Sequence, residues 1–105
     1  MRGILKGNFE KSLQANETSL SGQSLLLDDK VVADPTWQRI DWLIQHHLLK
    51  VADSPSGWEV LYRDPNDGRY WERTFPQSET HGGGAPRLNA ITEGEAEKKY
   101  GALGS

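Results

Sequence analysis

The sequence predicts an α+β fold: a small antiparallel sheet with one main helix packed on it and a short C-terminal helix. Three observations lead there. Asp34-Pro35 opens a stretch whose apolar residues recur at three- and four-residue steps, the spacing of one helix face. Trp58–Phe75 alternates with a period of two on either side of a turn-forming string, the pattern of a hairpin. Thr92-Glu-Gly-Glu95 has the form of a capping box ahead of a final short helix.

The elements follow in order. Met1 to Asn16 shows no sustained period and reads as either a short edge strand or an N-terminal arm. Ser24-Leu-Leu-Leu27 and Lys30-Val-Val-Ala33 are short β-type runs joined by Asp28-Asp29, and together they predict a hairpin, although its turn lacks the preferred glycine. A helix is expected over residues 35–52. Asp34 suits its N-cap, because a carboxylate there accepts the free N–H groups of the first turn, and Pro35 suits its first position. Trp37, Ile40, Ile44, His47, Leu48 and Val51 form its apolar stripe. Lys50 would complement the negative end of its dipole, and Asp53-Ser-Pro-Ser-Gly57 would stop it. Trp42 and Leu49 fall off the stripe but near one another, as a second apolar strip.

In the hairpin that follows, Trp58, Val60 and Tyr62 alternate with Glu59, Leu61 and Arg63. Asp64-Pro-Asn-Asp-Gly68 is turn chemistry: Pro65 presets φ, and Gly68 tolerates a positive φ. The return strand, Arg69–Phe75, places Tyr70, Glu72 and Thr74 on one face and Trp71, Arg73 and Phe75 on the other. Pro76 to Pro86 is a long connection, of a length that is usually functional or mobile. Arg87–Ile91 returns as a last strand. Thr92 caps a helix through Tyr100, Gly101 ends it, and residues 102–105 read as a tail. The domain is thus expected over residues 17–101, with residues 1–16 outside it.

Composition narrows the class. The 105 residues carry 12 basic and 15 acidic side chains, a net charge of −3, and suit one domain. Four Trp, three Tyr and two Phe supply enough apolar area for a packed core. Leu25–Leu27 is as long as any uninterrupted apolar run, so no membrane span is expected. The absence of Cys excludes disulfides, a thiolate nucleophile and Cys-ligated zinc or iron–sulfur sites. The slight acidity argues against general nucleic-acid binding, which shows a basic patch or stripe.

Few residues suggest catalysis. His81-Gly-Gly-Gly84 matches an oxyanion-hole string of esterases, but the Gly-x-Ser-x-Gly elbow that must accompany it is missing. Three glycines in a loop are explained more simply by backbone freedom. Adjacent His46 and His47 point about 100° apart on a helix and do not chelate one metal together. His47, on the apolar stripe, reads as a half-buried hydrogen-bonded side chain, and His46 as exposed. His81 with Glu79 lacks further metal ligands at a suitable spacing. Glu59 and Glu72 fall on paired strands, and their simplest role is salt bridging to Arg63, Arg69 and Arg73. The chain is therefore expected to have no catalytic residues, no metal and no cofactor.

Two segments carry a resemblance. Trp37-Gln-Arg-Ile-Asp-Trp-Leu-Ile44 and Gly57-Trp-Glu-Val-Leu-Tyr-Arg-Asp-Pro-Asn-Asp-Gly-Arg-Tyr-Trp-Glu72, followed by Phe75-Pro-Gln-Ser-Glu-Thr-His-Gly-Gly-Gly-Ala-Pro86, resemble immunity protein 27, a family of small bacterial proteins encoded beside polymorphic toxins. The likeness extends from about Glu17 to Gly101 and departs at Gln23, where the family pattern has an aromatic residue. It implies a non-enzymatic protein of the bacterial cytoplasm. Such a protein is a monomer that binds the C-terminal toxin domain of a contact-dependent, Rhs-type or type VI effector as a 1:1 heterodimer and neutralises it. The expected contacts are the exposed groups of the hairpin and the loop after it: Glu59, Asp67, Arg69, Glu72, Glu79 and His81. The competing expectations are a small hydrolase built on His81 and Gly82–Gly84, and a structural subunit that self-associates through Trp42 and Leu49.

Overall fold

The computed structural model describes residues 12–76 and 84–102. Five strands form one antiparallel sheet. In chain order they are β1 (Ser19–Ser21), β4 (Leu49–Asp53), β5 (Val60–Arg63), β6 (Tyr70–Thr74) and β7 (Arg87–Ile91), and across the sheet they run β1-β7-β6-β5-β4. Between β1 and β4 come a separate two-stranded ribbon, β2 (Ser24–Leu27) with β3 (Lys30–Ala33), and helix α1 (Pro35–His46). Helix α2 (Glu93–Tyr100) follows β7. This is the α+β class the sequence predicts.

Register divides the sheet into two faces. Tyr62 pairs with Trp71, which pairs in turn with Ala90, and Leu88 pairs with Leu20, so these side chains share one face. Ile40 and Leu43 of α1 pack there with Val60, Tyr62, Trp71 and Leu88, and Leu13 closes the same core. The core therefore reaches back into the first sixteen residues. On the opposite face Leu61 pairs with Glu72. Leu61 and Ala96 are fully buried, yet neither belongs to the core beneath α1. Helix α2 is fastened on this second side through Lys99 and Tyr100. The two helices thus cover opposite faces of the sheet, and β5 is buried on both.

The main helix is shorter than its apolar spacing predicts. It ends at His46, not Ala52, because the N–H groups of His47 and Leu48 both donate to Leu43 O and close the last turn. Leu49–Asp53 is a strand instead, and its backbone bonds to β5. Over so short an apolar run, period alone does not separate helix from strand, and edge pairing decides. Three expectations change with it. Lys50 pairs with Asp53 at 3.1 Å rather than with a helix end. Of Asp53-Ser-Pro-Ser-Gly57, Asp53 ends β4 and the rest begins the β4–β5 hairpin loop, closed by Ser54 N donating to Glu59 O at 2.9 Å. Trp42 and Leu49 lie on different elements and form no common strip: the Trp42 ring stacks on His47, while Leu49 is exposed on the sheet edge. The centre of the helix stripe also moves, with Leu43 fully buried and Ile44 only partly so.

The ends follow local chemistry closely. Asp34 caps α1 by accepting from Trp37 N at 2.8 Å. Both bonds of the Thr92–Glu95 capping box are present on α2. Asp28 and Asp29 take φ of 49° and 65°, a type I′ turn built without glycine.

Candidate functional site

Four of the residues expected at a contact surface lie on or beside the β5–β6 hairpin. Glu59 and Glu72 do share one face, but their partners differ from the arginines expected. Lys99 of α2 sits between them, with Nζ 2.7 Å from Glu72 Oε2 and 3.5 Å from Glu59 Oε1. Tyr100 donates its hydroxyl to the same Glu72 oxygen at 2.6 Å. Burial, then the bond to Glu72, pushes the Tyr100 phenol far above its ordinary value. The bond to Glu72 likewise raises the Lys99 ammonium. A carboxylate held by an ammonium and a phenol is a latch for the helix. Neither proton is poised for transfer near neutral pH.

Two of those arginines, Arg69 and Arg73, are engaged elsewhere. Arg69 Nε donates to Asp67 Oδ2 at 2.7 Å, and Arg69 N donates to Asp67 Oδ1 at 3.0 Å. The Arg69 guanidinium also donates to Glu17 O and Gln14 O, at 2.6 and 2.9 Å, and lies 4.8 Å from the centre of the Trp71 ring. It therefore stitches the segment before β1 onto the hairpin turn. Arg73 lies over Phe75. Glu79 and His81, with Gly82 and Gly83, lie outside the described residues. Gly84 is described and takes a φ of 68°. As expected, His46 is exposed and His47 half-buried in a hydrogen bond.

A shallow cleft of about 410 Å³ opens beside the turn, lined by Thr18, Arg69, Tyr70, Ile91, Glu93 and Glu95. Its polar groups are largely engaged, Arg69 with backbone carbonyls and Glu95 in the helix cap. Among the described residues, no cluster of three or more His, Asp or Glu side chains is placed to hold a metal. No described helix is long and apolar enough to cross a membrane.

What stands out is apolar surface. Leu25, Leu26, Leu27 and Val31 on the β2–β3 ribbon are 40%, 69%, 56% and 72% exposed. Leu49, Val51 and Trp58 are also exposed along β4 and its loop. Sequence reasoning found the ribbon as a hairpin and not as a surface. Its signal was the lack of alternation: both faces carry apolar residues, and such a hairpin is either buried on both sides or bare on both.

A family model described as Immunity protein 27 matches residues 26–92 of this chain. No curated protein and no solved structure matches it.

Proposed function

The chain belongs to the immunity protein 27 family, and on that premise we propose that it neutralises a bacterial toxin domain by binding it directly as a 1:1 heterodimer. The observation that carries this reading is the family match, which spans α1, the whole hairpin and β7. The geometry agrees with a binder acting by contact rather than by catalysis. The paired carboxylates hold α2 in place, and a ribbon of large apolar side chains faces solvent. Exposed apolar surface of this kind marks protein interaction sites.

The toxin is the C-terminal domain of a polymorphic effector, of the Rhs or contact-dependent kind, and the inhibitor meets it in the bacterial cytoplasm. A complex of this type should bury on the order of 1,200–2,000 Å² in total. Calorimetric titration with the C-terminal domain encoded by the adjacent upstream gene tests the reading. A one-to-one complex of nanomolar or tighter affinity is expected, with loss of toxicity when the two are co-expressed. No heat and no co-elution would overturn it.

A further inference from the structure

The β2–β3 ribbon stands apart from the core. Every residue from Gln23 to Val31 is exposed, and no ribbon residue joins the core. Isolated two-stranded ribbons are marginal in water, yet this one is held at its base. Gln23 N donates to Asp34 Oδ1 at 3.1 Å, Asp34 N donates to Gln23 O at 2.9 Å, and Gly22 N donates to Pro86 O at 2.9 Å. At its far end the Asp28-Asp29 turn has the type I′ twist that strand pairs favour. The ribbon is thus pre-formed, which lowers the ordering cost of binding.

Cross-strand pairing shows how its apolar groups are arranged. Leu26 faces Val31 on one side of the ribbon, and Leu25 faces Val32 on the other with Leu27 beside it. Both sides are therefore apolar, the first open at Leu26 and Val31 and the second open at Leu25 and Leu27, with Val32 half-buried. A flat partner covers one side only. Two copies of this chain, stacked ribbon on ribbon, would leave the outer sides bare. They would also bury on the order of a few hundred Å² from the ribbons, short of the roughly 1,200 Å² of a stable interface. A groove covers both sides at once. The end that enters first carries Asp28 and Asp29, and carboxylates leaving water need cationic partners.

We infer that the ribbon is the element by which this chain engages its toxin, and that the toxin offers a groove with apolar walls and a basic floor. The inference rests on the toxin-binding reading above and assigns its surface. Leu26 and Val31 supply apolar anchoring, while Asp28 and Asp29 steer the approach and set register.

The experiment compares wild type, Leu26→Thr/Val31→Thr and Asp28→Asn/Asp29→Asn for binding to the C-terminal domain encoded by the adjacent upstream gene. Threonine keeps strand propensity, and asparagine tolerates the positive φ of the turn, so circular dichroism and melting should match wild type. The threonine pair should weaken binding at least ~30-fold, mainly through a faster off-rate. The asparagine pair should slow association and reduce its salt dependence. Wild-type binding with an unchanged threonine variant would overturn the ribbon assignment and leave the toxin-binding reading standing. A wild type that does not bind would overturn both. Sedimentation showing a wild-type dimer that the threonine pair dissolves would overturn the groove in favour of a second copy.

Discussion

His47 at the end of α1 donates through Nε2 to Asp64 Oδ1 at 3.0 Å and so ties the helix terminus to the first residue of the β5–β6 turn. Asp64 is fully buried, and the same oxygen accepts from Asn66 N at 2.8 Å. One side chain therefore organises the turn and docks the helix. Asp64→Ala should destabilise the domain by about 2–3 kcal/mol, since it removes a buried carboxylate that accepts two hydrogen bonds. Asp64→Asn keeps an acceptor oxygen and should cost about half as much. Urea unfolding of the two variants and wild type measures the difference. Equal losses would mean that the turn does not depend on that oxygen.

Acid stability should depend on Glu17. Its carboxylate accepts from both terminal nitrogens of Arg39, at 2.8 and 2.7 Å. Those bonds outweigh its burial and hold its pKa below the ordinary value. The folded chain therefore binds this proton less readily than the unfolded chain. The stabilisation is whole above about pH 4.3 and is lost as the pH falls through the lowered folded value. Glu17→Gln should cost about 1 kcal/mol at pH 7 and nothing measurable near pH 2. Melting temperatures at the two pH values provide the check.

Alkaline stability should depend on Tyr100 and Lys99. Both hold their protons more tightly in the fold than in the unfolded chain, Tyr100 mainly through burial and Lys99 mainly through Glu72. Their contribution is therefore complete below about pH 10 and fades as the pH rises beyond it. Tyr100→Phe should remove part of the alkaline transition and cost about 1–2 kcal/mol at neutral pH, the value of a bond to a carboxylate. Following unfolding from pH 8 to 12 in both proteins tests this. Coincident curves would show that the latch contributes nothing.

Gly22 should tolerate no side chain. A Cβ there would lie 2.9 Å from Trp37 Cβ and 3.1 Å from Pro86 O, between the ribbon base and α1. Gly22→Ala should destabilise by about 1–3 kcal/mol through overpacking. Gly57→Ala serves as the comparison, because nothing crowds that position and only its φ of 81° opposes the change. If Gly22→Ala melts no lower than Gly57→Ala, the close approach at the ribbon base is not a constraint.

Local chemistry was legible wherever a residue acts on its near neighbours. Asp34, Thr92 with Glu95, and the Asp64–Gly68 string mark ends and turns because a side chain meets a backbone group two or three residues away. The family signature was legible for the same reason, as strings of adjacent residues. The β4 strand was not, because Leu48 and Val51 fit a helix stripe as well as an edge strand. The choice depended on β5, a partner further along the chain. The partners of Glu59 and Glu72 were equally hidden, since Lys99 reaches them only once α2 lies across the sheet.

From the sequence alone came the fold class, the caps, the β2–β3 and β5–β6 hairpins and the family, because each is written in short-range spacing. Which apolar residues form a core and which face solvent was decided by the tertiary structure. Leu25–Leu27 and Leu43 carry the same kind of side chain, yet Leu43 is fully buried between α1 and the sheet and Leu26 is 69% exposed. Hydrophobicity sets the gain from burial, but only the packing of distant elements determines which side chains obtain it.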